Sequence, residues 1–474
     1  MKRLFVILIF LPILFLSCTV GPKYKPVKVK VPDKWYPEDV IKESGISVSK
    51  KIGLDEIKNW WKQLNDSCLD RLIEQAIKGN LDIKVALARL KEERALRGRE
   101  KARLFPYINA EGSAVRKRIS ESGKTSELYS LNIDASWEAD IFGSIRSSIQ
   151  EAEARLLAAK EGLKDVIVSL VAEVAINYIE LRTYQARLKA VIANAKAQEG
   201  IYKLNLSRYK AGLIDELYVQ QSKYVLESTK AQIPSLQEGI EKAKNRIAVL
   251  LGKNPGELDK ELSRFNPIPT PPVKLVIGIP ANTIRNRPDV RRAEMNLIAA
   301  TAAVGKAKAE LYPQLQLSGS IGLESISKGD LFKWASRTWS LATNITWKIF
   351  HAGELRQNVK VYTERQKQAL YEYQNTVLNA IEEVRNAIIA YVKEQKRLYA
   401  LERAVEAAKK SYELALDRYR AGISDFIDVL DAERSLQSLQ DQLSVSKGQV
   451  AINLVRIYKS LGGGWSAFLL QVGG

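Results

Sequence analysis

The sequence predicts an α/β membrane protein whose chain is duplicated, with a helix, two strands and a long helical hairpin in each half. Three observations lead to this prediction. Each half contains two stretches in which apolar and polar residues alternate. Each pair of stretches is followed by a long segment rich in Ala, Leu, Glu, Lys and Arg, at 144–209 and 355–420. A glycine-centred motif then occurs twice, at an offset of 210 residues, and such self-similarity indicates an internal repeat.

The composition narrows the function classes. The 474-residue chain has a formal net charge of +19, but its Lys and Arg are spread along helical segments and mixed with Glu. No nucleic-acid-binding motif is present, so we expect no nucleic-acid partner. One His and two Cys leave too few ligands for a metal centre or a thiol–imidazole pair. No phosphate-binding loop appears either. We therefore predict no metal, no cofactor and no enzymatic activity.

The N-terminus has the features of a lipoprotein signal. Lys2 and Arg3 precede a short apolar run, so residues 1–17 are interpreted as a secretory signal peptide. A small residue comes directly before Cys18, as in a bacterial lipobox, and predicts that Cys18 becomes the lipidated N-terminus, palmitate included. Its acyl chains would anchor the protein in membrane lipid. The alternative is cleavage elsewhere, which leaves Cys18 as a plain thiol.

Next comes an extended arm at 18–60, and then the strands. Leu131, Ile133 and Trp137, for example, alternate with Asn132 and Asp134. Strands of this length cross a bilayer when tilted, although half-buried strands of soluble proteins also alternate. The lipoprotein signal and the very long helices favour the membrane. The predicted strands are about 104–118, 127–139, 311–324 and 338–350.

Four strands are too few to close a barrel, since about eight is the minimum. Unpaired strand edges in lipid are costly. If the strands lie in a membrane, the barrel therefore needs several chains, and we predict an oligomer.

The helical hairpins are predicted at about 144–251 and 355–461. Pro234 lies inside the first returning helix and predicts a kink or break there, whereas Ser444 occupies the equivalent position in the second. Helices of this length need partners along their whole length, as in a coiled coil. The two halves span 61–252 and 286–462, with a Pro-rich linker at 253–285 and a C-terminal tail at 463–474.

The two hairpin tips share most of their residues. A glycine in each, Gly212 or Gly422, is suited to the positive φ that ends a helix, and an Asp three residues later is suited to start the next. The shared pairs are Leu206/Leu416, Arg208/Arg418, Tyr209/Tyr419, Ala211/Ala421, Gly212/Gly422, Asp215/Asp425 and Val219/Val429.

Together with these tips, three further signatures resemble the TolC-like outer-membrane efflux channels, in the lipoprotein branch associated with RND pumps. The resemblance covers nearly the whole mature chain. It implies a trimer with a twelve-stranded outer-membrane β-barrel on a long α-helical coiled-coil tunnel in the periplasm, and an equatorial region that includes the linker. The signatures are Cys18 with Gly21-Pro22-Lys23-Tyr24-Lys25-Pro26, Trp60-Trp61, and Arg287-Pro288-Asp289-Val290-Arg291.

The resemblance also implies a function and its residues. The chain is expected to be the exit duct that passes drugs, toxic compounds or metals from an inner-membrane pump and a periplasmic adaptor to the exterior. Asp428 and Asp431 would form carboxylate rings at the periplasmic gate, and Tyr419 would hold the gate shut by bonding to a neighbouring hairpin. The expected adaptor-docking residues are Arg208, Tyr209, Ala211, Gly212, Arg418, Ala421 and Gly422.

Plainer interpretations stay open. Two Asp at i and i+3 are often only a solvated helix face, and tip glycines are often only C-caps. Some relatives have an Arg two residues after the tip glycine as a further latch, and Ser424 stands there in this chain. Two other functions also remain: an outer-membrane channel for type I protein secretion, and a non-conducting, lipid-anchored coiled-coil scaffold.

Overall fold

The structure is a computed structural model that describes residues 19–27, 59–118, 120, 123–270 and 284–465. Cys18 and its predicted lipidation lie outside these residues. The chain divides into two compact units. The strand unit lies within Met1–Val29, Leu87–Gly162 and Asp289–Thr376, and the hairpin unit within Lys30–Ala86, Leu163–Pro288 and Val377–Gly474.

The predicted order of a helix, two strands and a long helical hairpin in each half is confirmed. The first half begins with a 3₁₀ turn, Trp60–Leu64, and the second has two such turns between its strands, Lys328–Asp330 and Trp334–Ser336. The elements of the first half are α1 (Ser67–Gly79), α2 (Leu81–Ala102), β1 (Tyr107–Arg118), β2 (Thr125–Ala139), α3 (Ser144–Lys210), α4 (Glu216–Lys230) and α5 (Gln232–Leu250). After a short α6 (Asp259–Leu262) follow α7 (Pro288–Ala309), β3 (Gln314–Ser325), β4 (Arg337–Thr346), α8 (Glu354–Arg420) and α9 (Phe426–Ser460).

The strand unit contains one antiparallel sheet in the order β1-β2-β3-β4. Ile133 pairs with Ala110 on one side and Ile321 on the other, and Ile321 pairs with Trp339, which puts the apolar residues of all four strands on the same face. These side chains are exposed in the protomer: Ile133 is 53% exposed, Ile321 64% and Leu341 77%. The opposite face is polar and includes a hydrogen bond of 2.8 Å between Ser113 and Ser130.

β4 ends at Thr346, four residues before the predicted end. Directly after it, the Trp347 indole donates a hydrogen bond of 3.2 Å to the carbonyl oxygen of Leu311, just after α7. The first half has the same arrangement, since Trp137 donates to the carbonyl oxygen of Leu104 at 2.9 Å. Each tryptophan thus ties a strand to the end of the preceding helix.

The described part of the N-terminal arm packs on the strand unit through glycine. A Cβ on Gly21 would lie 2.6 Å from the Cα of Gly305, so Gly21 has no room for a side chain. Tyr24 donates a hydrogen bond of 2.9 Å to Glu294 on α7. The Gly-Pro-x-Tyr signature is therefore a packing motif here.

Arg287 has a structural role in the hairpin unit. Its buried guanidinium donates to the carbonyl oxygen of Ser460 at 2.6 Å and pairs with Glu383 at 2.7 Å. A buried guanidinium needs such partners, which explains why an arginine stands before Pro288 at the start of α7.

The two returning helices differ. The first is divided at Ala231 into α4 and α5, so that Pro234 falls in the first turn of α5, where its missing N–H costs little. The second, α9, runs unbroken from Phe426 to Ser460. Among the described residues, no helix combines the length and apolar character needed to cross a bilayer.

Candidate functional site at the helix tips

Both hairpin tips have the same backbone geometry. Gly212 and Gly422 have φ values of 71° and 74°, a conformation that a side chain would strain. The next residue donates its N–H back to the carbonyl of the arginine that both tips share, Leu213 to Arg208 and Ile423 to Arg418, each at 2.9 Å. This is the Schellman pattern that ends a helix at glycine. The plain C-cap interpretation of both glycines therefore holds.

The starts of the returning helices are also similar. Asp215 accepts a hydrogen bond of 3.2 Å from the N–H of Leu217 and so caps α4 through its side chain. Asp425 occupies the N-cap of α9 with nearly the same backbone angles, but its side chain makes no capping bond. Its carbonyl oxygen accepts from the N–H of Asp428 at 3.3 Å. The tips therefore differ in side-chain bonding, with little difference in backbone.

Within the chain, an apolar cluster joins the first hairpin to the second just beyond the tips. Phe426 is its centre, with Val429 beside it, and both are fully buried against Ile201 and Val225. Tyr218 meets the Phe426 ring edge-on, with 6.1 Å between ring centroids. Burial of this cluster from water stabilises the contact between the hairpins.

Tyr419 is part of this cluster and is only 5% exposed. Its hydroxyl donates a hydrogen bond of 2.8 Å to the side-chain oxygen of Asn205 on α3. The guanidinium of Arg208 lies over the Tyr419 ring, 5.1 Å from its centroid, and donates to the carbonyl oxygen of Arg420 at 3.2 Å. Tyr419 thus bonds to the other hairpin of its own chain. Arg208, expected at a docking surface, caps the end of α8.

Asp428 and Asp431 lie apart from Tyr419. Both are exposed and line a groove of about 640 Å³ between α8 and α9, together with Arg418 and Ser424. Among the residues that the structure describes, Arg434 pairs with Asp431, at 4.0 Å. The structure therefore brings the two aspartates together on one helix face and puts Tyr419 elsewhere. The Ser424 hydroxyl is buried and makes no hydrogen bond within the described chain.

The remaining predicted docking residues are at the surface. Tyr209, Ala211, Gly212, Ala421 and Gly422 are all exposed at the two tips. They form two small, open turns with glycine at the apex. Such a turn allows another backbone to approach closely.

Sequence reasoning missed a buried carboxyl near the tips. Glu433 on α9 is buried, and this burial raises its pKa, an effect that the adjacent Gln198 amide only partly offsets. The Gln437 amide donates to it at 3.5 Å. Burial, with Glu433 nearby, raises the pKa of Tyr412 to about 12. Helical spacing could have predicted this burial, because Glu433 lies on the same face of α9 as Phe426 and Val429.

Among the described residues, no group of three or more His, Cys, Asp or Glu side chains is arranged to hold a metal ion. The chemistry available at the tips is therefore that of carboxylates, guanidinium groups and tyrosines around a groove. These groups can attract, repel and hold helices together.

Comparison with known proteins places this arrangement in a known context. The family model described as outer membrane efflux protein matches residues 72–253 and 279–463. The chain is 31% identical over 440 residues to nodulation protein T of Rhizobium leguminosarum bv. trifolii, covering 92% of each chain. It is 30% identical over 458 residues to the solvent efflux pump outer membrane protein SrpC of Pseudomonas putida, covering 95% of this chain and 96% of SrpC. The structure of the outer-membrane channel OprN matches with a TM-score of 0.87 at 36% identity, over 94% of this chain and all of OprN.

Proposed function

The chain belongs to the outer membrane efflux protein family, and on this basis we propose that three copies of it form a gated exit duct. The four-stranded sheet lies in the outer membrane and the helical hairpins extend into the periplasm. The duct passes small molecules to the exterior, as the name of the relative SrpC indicates for a solvent pump. Its partners are a periplasmic adaptor and an inner-membrane pump, of RND type by resemblance.

The four-stranded sheet is the observation that carries this proposal. Its apolar face is exposed in the protomer, as expected of a surface that contacts lipid. Its outer strands, β1 and β4, each have one edge that pairs with no strand among the described residues. Open edges in lipid cost several kcal/mol for each unsatisfied backbone group, so the sheet requires neighbours on both sides. Three such sheets supply twelve strands and close the ring.

The gate is assigned to Asp428 and Asp431. Their exposure and shared helix face support this assignment, because three-fold repetition converts each aspartate into a ring of carboxylates. Converging negative charges favour cations and bind divalent metal ions. Only the second hairpin supplies these rings, since Tyr218 and Gln221 occupy the equivalent positions in the first.

The docking site for the adaptor is assigned to the open turns at Gly212 and Gly422. Both glycines have open space around them, since a Cβ added to either would have no neighbouring atom within 4 Å. A bulky charged residue, as in Gly212→Glu or Gly422→Glu, is expected to abolish crosslinking to the adaptor while the trimer remains. Loss of the trimer in either variant would show that the glycine is structural only.

The decisive experiment measures conductance and assembly of the same purified protein. We expect a trimer that resists SDS until heated, and discrete conductance steps in planar bilayers. A protein that assembles but never conducts would be a scaffold. Restoration of resistance to toxic small molecules, when the chain is expressed with an RND pump and its adaptor in a strain lacking its own channel, would place it in efflux. Restored export of a protein substrate alone would place it in type I secretion.

A further inference from the structure

We infer that Arg418 of one copy binds Tyr209 of the next copy, in a second arginine–tyrosine contact that forms only between two copies of the chain. The inference deepens the proposed function and rests on its ring of chains. The partner is a second copy of this protein, and the contact joins the second tip of one copy to the first tip of the next.

The first contact of this type lies within the chain. Arg208 covers the ring of Tyr419 and donates to the carbonyl oxygen of Arg420 at the end of α8. One side chain thus binds an aromatic face and caps a helix of the other hairpin. We call this arrangement the arginine clasp; it consists of Arg208 from the first tip and Tyr419 from the second.

The duplication supplies both parts of the clasp twice. Arg418 and Tyr209 are the counterparts of Arg208 and Tyr419 at the offset of 210 residues. Arg418 is exposed, and its side chain forms no hydrogen bond or ion pair with any residue that the structure describes. Tyr209 is 41% exposed, whereas Tyr419 is 5% exposed. One clasp is therefore closed within the chain, and an identical pair of parts remains open.

The groove beside Asp428 is the matching seat for Tyr209. On the first hairpin, the surface that holds Tyr419 and Phe426 is formed by Ile201, Asn205, Arg208, Tyr218 and Val225. The corresponding residues of the second hairpin, each 210 positions later, line the groove: Ser411, Ala415, Arg418, Asp428 and Ser435. A surface that is filled on the first hairpin is thus open on the second.

Arg418 and Tyr209 of one chain bind two different neighbouring copies. Each chain offers one seat, at Arg418, and one insert, at Tyr209. An interface of this kind is heterologous, joining head to tail, and it produces a closed ring when the rotation between copies closes. In a trimer, three clasps within chains alternate with three clasps between chains.

The clasp between chains is the weaker of the two. Ala415 replaces Asn205, so the Tyr209 hydroxyl finds no acceptor where Tyr419 has one. Glu216 replaces the buried Phe426, and the same correspondence puts it near Asp428 of the adjacent copy, where like charges repel. The joint between copies therefore lacks the apolar core and the hydrogen bond of the joint within the chain. It is the joint at which the ring separates first.

A crosslinking experiment on the full-length trimer tests this inference. Tyr209→Cys with Arg418→Cys is treated with a short bismaleimide and separated by denaturing electrophoresis. We expect covalent dimers and trimers. The matched control is Arg208→Cys with Tyr419→Cys, which is expected to give an intrachain product that migrates as a monomer. The parent chain, whose Cys68 is buried, corrects for background reaction.

The outcomes separate the inference from the proposed function. If the untreated Tyr209→Cys/Arg418→Cys protein is trimeric by native mass spectrometry but yields no covalent dimer or trimer, the clasp between copies does not exist. If the parent protein is itself monomeric, the proposed function fails first. A second variant, Arg418→Ala, avoids any reagent. It is expected to raise the open fraction of single channels at least threefold, and an unchanged open fraction would also overturn the inference.

Discussion

The first hairpin, formed by α3, α4 and α5, and the second, formed by α8 and α9, end in tips with the same glycine geometry and the same backbone hydrogen bonds at the helix ends. Their side surfaces differ. The first presents Asn205, Tyr218 and Val225 to its partner, whereas the second has small or charged residues at the same positions and an open groove. The comparison shows that the duplicated chain kept its turns and changed its helix faces. One face is filled by the other hairpin of the same chain, and the other is the surface that we propose for an adjacent copy.

The largest effect is expected in the apolar cluster, which is present between the two hairpins of one chain and has no equivalent on the open face of the second hairpin. Phe426→Ala removes a fully buried ring and should destabilise the packing of the two hairpins by about 3–5 kcal/mol. Glu216→Ala changes the equivalent, exposed position of the first hairpin and should alter stability by no more than about 0.5 kcal/mol. Urea unfolding followed by circular dichroism measures both. Equal losses would mean that the two hairpins pack alike.

The second effect concerns conductance. Asp428→Ala with Asp431→Ala should raise single-channel conductance severalfold and weaken block by divalent cations, because the carboxylate rings are removed. Glu413→Ala with Asp417→Ala removes the same charge from exposed positions on α8 outside the groove, and should leave both properties unchanged. The gate assignment fails if the two variants behave alike.

A smaller effect separates the two tyrosines. Tyr419→Phe leaves the buried Asn205 oxygen without its donor and should cost about 1–3 kcal/mol. Tyr209→Phe removes a hydroxyl that has no counterpart of Asn205 to bind, since Ala415 stands at that position, and should be nearly neutral in the same unfolding assay. A comparable loss from Tyr209→Phe would show that its hydroxyl has found a partner in the trimer, and the clasp between copies would then be as strong as the one within.

The smallest effect is a dependence on pH. Because burial raises the pKa of Glu433, the packed hairpins favour its neutral form. Its favourable contribution is therefore complete below the ordinary pKa of a glutamate and is lost as the pH rises through the raised value. Glu433→Gln stays neutral at every pH. It should flatten the dependence of the melting temperature on pH and should raise the melting temperature at neutral pH. An unaltered pH profile would show that Glu433 is solvated in the assembly.

Much of the fold could be predicted because its signals are local. Alternation placed four strands, and the repeated glycine placed both tips. Pro234 predicted a break in the first returning helix, and the division at Ala231 confirms it. The end of β4 could not be predicted, since alternation continues to Ile349 in the sequence. It depends on the register with β3, whose pairing stops at Gln314, next to Pro313, which has no N–H to donate.

The tip site was only partly accessible from sequence. Two aspartates three residues apart share a helix face whatever surrounds them, so their common face followed from spacing, whereas the groove beside it did not. The hydrogen bond from Tyr419 to Asn205 depends on how the two hairpins pack against each other. Residue spacing does not determine that packing. The buried environment of Glu433 depends on the same packing. Even so, the comparison of Asn205 with its counterpart Ala415 already marks where the halves diverge.

The equal backbones at Gly212 and Gly422 have a consequence for stoichiometry. A partner that recognises only the backbone of these turns meets two equivalent sites on every chain, and six on a ring of three. A partner that recognises side chains beside the turns, such as Asp428, meets three. The number of adaptor molecules bound to one duct, counted by native mass spectrometry, therefore reports which part of the tip the adaptor contacts.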